Sequence, residues 1–144
     1  EPVPLIVGLG AALELAEAER EDTVLRLSAL RDYFFDALVR AVPGAEINGS
    51  RAQRIANNVH LSIPGFESEE LIIALDTRGV AISARSACIS GGEGSYVLRA
   101  MGKGTPEATS SLRFSMGPAT TREDVDVCVR ALAEIVAATG ASVH

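Results

Sequence analysis

Apolar residues at Leu13, Ala16, Val24, Leu27, Leu30, Phe34, Leu38 and Val42 recur with a spacing near 3.6. The spacing predicts one long amphipathic helix that begins after Pro4 and breaks at Pro43-Gly44. "AEINGS" reads as a short strand running into an Asn-Gly turn, and "RAQRIA" as a loop. "NNVHLSI" alternates, with Val59, Leu61 and Ile63 on one face and His60 and Ser62 on the other, until Pro64-Gly65 stops it. "ESEELIIALDTRG" has acid in its first turn, arginine in its last and glycine beyond, a charge order that suits a helix dipole. "VAIS" predicts a brief apolar strand and "SYVLRAMG" a short helix. "TPEA" predicts a helix start capped by Thr105, with proline in the first helical position. "SLRFSM" alternates again, with Leu112, Phe114 and Met116 inward and Arg113 and Ser115 outward. The last segment, "TREDVDVCVRALAEIVAATG", pairs Thr121 with Asp124 as a cap. It carries Val125, Cys128, Leu132 and Ile135 on one stripe and closes at Gly140.

These elements assemble as an α+β fold of two layers: a short, mainly antiparallel sheet covered by helices. The long first helix exceeds what so small a core can cover, and it is expected to lean on something outside this chain. A length of 144 residues suits one domain, and 47% hydrophobic with 22% charged residues is the composition of a soluble globular protein. A net charge of −6 argues against a nucleic-acid surface or an anionic membrane as partner. The absence of Trp and an aromatic content of 4% leave little for base stacking. The amino-terminal stretch lacks a basic region and meets acid at Glu14, unlike a signal peptide or a membrane span. Two cysteines at unrelated spacing make neither a disulfide framework nor a metal site, which fits a reducing, cytoplasmic setting.

The candidate chemistry starts at Cys88, in "SARSACISGG", among small and flexible residues that pack poorly and suit a loop. A nucleophilic thiol must be approachable and must ionise, and Arg85 supplies positive charge three residues away. Cys128 falls on an apolar helical stripe and reads as a small core residue. Arg113 projects from the polar face of its strand between serines, where a guanidinium can grip a carboxylate through two parallel hydrogen bonds. His60 and the last residue, His144, have no partner evident in sequence and read as surface residues. Lys103 is the single lysine, against twelve arginines. "LIVGLGAAL" and "GKGT" each miss positions that a dinucleotide turn or a phosphate loop requires.

The runs "SARSACIS", "GSYVLRAMG" and "TSSLRFSMGPATTREDVD" resemble the carboxy-terminal part of the group I cysteine desulfurases. These are pyridoxal-phosphate enzymes of the class V aminotransferase fold, of fold type I. The similarity extends back through "NNVHLSIPGFESEELIIALDTRGVAIS" to "VPLIVGLGAALELA" and covers essentially the whole chain. The resemblance implies that Cys88 is the catalytic cysteine, which takes sulfur from L-cysteine as a persulfide, releases L-alanine and passes the sulfur to acceptor proteins. It implies that Arg113 holds the substrate carboxylate. It further implies that pyridoxal phosphate is bound by a large domain absent from this chain, so that the chain alone is inactive, and that the full enzyme is a homodimer. Residues 1–43 would then link to the cofactor domain, and residues 44–144 would form the small domain that carries the cysteine loop. Two other functions remain open: a free-standing persulfide carrier, and another class V enzyme such as a selenocysteine lyase or an aminotransferase.

Overall fold

Leu27, Leu30, Phe34, Phe35 and Leu38 lie on one side of a helix and are buried, and the rest of the fold is arranged to cover them. A computed structural model describes residues 1–84 and 94–140. Its elements are α1 (Val3–Ala18), α2 (Arg20–Ala41), β1 (Glu46–Ile47), β2 (Asn58–Ser62), α3 (Ser68–Asp76), α4 (Tyr96–Ala100), α5 (Thr105–Thr109), β3 (Ser111–Ser115) and α6 (Arg122–Gly140).

The strands form one antiparallel sheet in the order β1-β2-β3. β2 and β3 run side by side from Asn58 opposite Ser115 to Ser62 opposite Ser111. Val59, Leu61 and Ile63 with Leu112, Phe114 and Met116 face the helices α2, α3 and α6, as the alternation predicts. Phe34 of α2 meets Phe114 edge to face, with ring centroids 5.1 Å apart. Leu71 and Leu75 of α3 and Val125, Cys128, Leu132 and Ile135 of α6 complete the core. Each large side chain fully removed from water here contributes roughly 1.5–3 kcal/mol. The α+β, two-layer architecture is the one expected.

The first predicted helix is two. At Glu19, φ −91° and ψ −6° depart from the helical values, although Glu19 N–H still reaches Leu15 O and Thr23 N–H reaches Glu19 O. The two halves have different surroundings. α2 buries a stripe, while α1 has no buried residue, and Leu5, Leu9 and Leu13 are more than 60% exposed. A helix apolar on every side belongs in an interior. The chain leaves α2 through Gly44, whose φ of +80° is open to glycine at little cost.

Two further expectations are corrected. "VAIS" forms no strand: among the described residues only Ser83 pairs, in a single bridge to Arg113. α5 begins at Thr105 with Gly104 in the capping position and Pro106 one place further in, so Thr105 is helical rather than a cap. The Thr121 cap of α6 does form: Asp124 N–H donates to Thr121 Oγ1 at 3.2 Å, and Thr121 N–H donates to Asp124 Oδ2 at 2.8 Å. No described helix is long and apolar enough to cross a membrane.

Candidate functional site

The alternation that buries Val59 and Leu61 sends Asn58, His60 and Ser62 to the opposite face of the sheet, beside Ser115, Arg113 and Ser111 of β3. One end of this polar face is roofed by α5. Ser62 Oγ donates to Glu107 O at 2.7 Å and accepts from Asn48 Nδ2 at 2.8 Å. That roof explains why Ser62 and Ser111 are buried although they lie on the polar side.

Towards the other end stands Arg113, half-buried. Its backbone is locked to Ser83 in both directions, with Ser83 N–H to Arg113 O at 3.2 Å and Arg113 N–H to Ser83 O at 2.6 Å. Among the described residues its guanidinium makes one hydrogen bond, to Ser83 Oγ at 3.3 Å, and no carboxylate pairs with it. A half-buried cation that has no carboxylate partner among the described residues suits an incoming anion.

His60 faces Arg113 across the strand pair and is half-buried, a correction to its reading as a surface residue. Burial first, then the charges of Arg54 and Arg113, hold its imidazole down to about pKa 4, so it is neutral at pH 7. Arg54, in contrast, is fully engaged: Nη1 donates to Asn58 Oδ1 at 2.7 Å, Nε to Ser50 O at 3.1 Å and Nη2 to Asn48 O. Its guanidinium also lies 5.2 Å from the centre of the Phe35 ring. Arg54 contributes charge to the site, while Arg113 contributes charge and donors that, apart from the bond to Ser83 Oγ, have no partner among the described residues. Sequence reasoning passed over His60. The signal was available, because the two alternating strands place it and Arg113 on one face.

Cys88 lies outside the described residues, as do Arg85 and His144. The described residues that flank the 85–93 segment are fixed at two points. Ser83 is bridged to Arg113, and on the other side Ser95 N–H donates to Ala108 O at 2.9 Å. Gly94 has φ +73°, and a side chain there would come within 2.6 Å of the Ala108 carbonyl carbon and oxygen. Cys128 is a core residue, as expected, and burial pushes its thiol up to about pKa 12. Lys103 is engaged with Glu46 of β1 at 2.9 Å, not with the Arg113–His60 pair. Gly8 and Gly10 lie within α1 and form no turn. Among the described residues no group of acidic, histidine and cysteine side chains could hold a metal ion.

The family model described as Aminotransferase class-V matches residues 1–128. The chain is 41% identical to the cysteine desulfurase IscS of Rickettsia massiliae (strain Mtu5) over 129 residues, 89% of this chain and 31% of that protein. It is 42% identical to the cysteine desulfurase IscS of Anaeromyxobacter sp. (strain K) over 135 residues, 93% of this chain and 33% of that one. Among solved structures, a NifS-like protein superposes with a TM-score of 0.83 at 27% identity, covering 95% of this chain and 34% of its own. The NifS-like protein from Rickettsia africae ESF-5 gives 0.81 at 26% identity, covering 94% and 35%. The chain thus spans about a third of the length of the curated relatives it matches.

Proposed function

This chain belongs to the aminotransferase class-V family, and on that premise we propose that it is the sulfur-accepting, substrate-gripping part of a cysteine desulfurase. In this reading Arg113 receives the α-carboxylate of L-cysteine through paired N–H donors. The Cys88 thiolate attacks the substrate sulfur. The S–S bond forms as the C–S bond breaks, the bonding electron pair stays with the substrate carbon, and that carbon takes a proton to give L-alanine. Cys88 is left as a persulfide, whose outer sulfur is then handed to an acceptor protein, a chemistry suited to a reducing, cytoplasmic compartment. The observation that carries the reading is Arg113, half-buried and without a carboxylate partner among the described residues. It stands in a chain about 40% identical to cysteine desulfurases.

Family membership implies pyridoxal phosphate, yet the residues present do not fit it. The cofactor's covalent partner is a lysine. The single lysine, Lys103, is held by Glu46 beside the outer strand of the sheet. We therefore assign cofactor binding to a separate large domain, with residues 1–43 as the link and residues 44–144 as the small domain. The bare apolar surface of α1 supports this division, since it needs a covering partner. The full enzyme would work as a homodimer.

The test uses purified chain and its single-cysteine variants. Incubated alone with L-cysteine, the chain should release no sulfide and show no pyridoxal absorbance. Sulfide release by the chain alone would overturn the division into two parts. Given a cofactor-loaded desulfurase partner, the chain should acquire a persulfide that is lost in Cys88→Ser and kept in Cys128→Ser. Labelling at Cys128 instead would overturn the assignment of Cys88. Labelling from a partner that contributes no cofactor domain to the site would favour a free-standing carrier. A native polypeptide about three times this size in its source cell would agree with the coverage of the relatives.

A further inference from the structure

We propose that His60 is the second arm of the carboxylate clamp, donating a hydrogen bond from its imidazole to the same carboxylate that Arg113 grips. The inference deepens the proposed function and rests on Arg113 being the substrate clamp.

Three observations converge on it. His60 and Arg113 are direct partners in the β2–β3 register, so their side chains leave the same face, with Cβ atoms roughly 5 Å apart in such a pair. A carboxylate seated on Arg113 is therefore within reach of the imidazole. Among the described residues nothing on that face claims the ring. Its environment is set by burial and by the charges of Arg54 and Arg113. Of the neighbours on that face, the Ser62 hydroxyl is committed to Glu107 O and Asn48 and the Asn58 side-chain oxygen to Arg54, while the Ser111 hydroxyl, which has no partner among the described residues, is buried at the far end under α5.

The choice of residue type follows from the charges around it. Arg54 approaches from the loop before β2 and Arg113 from β3, while Asn58 and Ser62 on β2 are neutral. An acidic residue at position 60 would neutralise Arg113 and exclude the substrate. A lysine would add a third positive charge to a half-buried face. A neutral imidazole offers an N–H donor without either penalty. It fixes the second carboxylate oxygen, and with it the rotation of the amino acid about the Arg113 axis. A docked anion also screens the two guanidiniums, so binding should make His60 easier to protonate.

The test is an NMR titration of the imidazole in the whole chain, with propionate as the probe carboxylate and His144 as the internal reference. With propionate bound, the His60 titration should move upward by about one pH unit, and Arg113→Gln should abolish the movement. In the cofactor-loaded enzyme, His60→Phe should raise KM for L-cysteine about tenfold while kcat falls much less. His60→Asn, which keeps an N–H donor, should recover most of that loss. If the Arg113 guanidinium resonances respond to propionate and His60 does not, this proposal fails and the clamp stands. If neither responds, both fail. Equal loss in His60→Phe and His60→Asn would also overturn the role assigned here.

Discussion

The two faces of β2 and β3 are built by the same residues taken alternately, yet they meet different fates. On one face Val59, Leu61, Leu112 and Phe114 are sealed under α2, α3 and α6. On the other, Asn58, His60, Arg113 and Ser115 share one surface, partly open and carrying charge. The packed face is defined by volume, and the polar face by which donors are left over once the protein has satisfied its own. A slip of one residue in register would exchange the two sets, so the core that stabilises the sheet also aims Arg113.

The largest expected effect separates the faces by function. In the assembled enzyme, Arg113→Ala should lower kcat/KM for L-cysteine by about a hundredfold, with urea stability changed by under ~1 kcal/mol. A comparable loss of stability would erase the distinction. The adjacent Phe114→Ala on the packed face should do the reverse, costing roughly 3–5 kcal/mol in urea unfolding, because the ring leaves a cavity against Phe34.

A pH series sharpens the comparison next. His60 has a folded pKa of about 4 against an ordinary 6.5, so the unfolded chain takes up its proton first as pH falls. Its contribution to stability is complete above pH 6.5 and is lost as pH falls towards 4, by as much as ~3 kcal/mol. Relative to wild type, His60→Asn should lose less stability over that window. Parallel curves for the two proteins would show that the ring is not buried between guanidiniums. A last test lies at the edge of the polar face. Gly94→Ala should cost roughly 3 kcal/mol or more, since the position combines a left-handed φ with a clash of the added Cβ against the Ala108 backbone. Desulfurase activity should fall along with it.

Much of this was legible from the chain itself. Alternation assigned the buried and polar sides of both long strands, the Thr121–Asp124 pair marked the start of α6, and the Leu27-to-Leu38 stripe marked the buried side of α2. What sequence missed depends on distant contacts. Ser62 is buried only because α5, 45 residues further along the chain, roofs it. His60 is half-buried and feels the charges of Arg54, from a loop, and Arg113, from another strand. "VAIS" has the composition of a strand but reaches a partner only at Ser83. Arg113 was legible as a candidate because its strand alternates cleanly. Cys88 is a candidate read from the sequence alone, and it falls outside the described residues.

The surface of α1 has a practical consequence for handling the polypeptide. Val3, Leu5, Ile6, Val7, Leu9, Leu13 and Leu15 all face water, a gross attraction of roughly 10 kcal/mol for any greasy surface that covers them. At laboratory concentrations such a rod should drive self-association and capture of hydrophobic dyes. Trimming the chain back to Arg20 should restore a well-behaved monomer while leaving the arginine-bearing sheet intact.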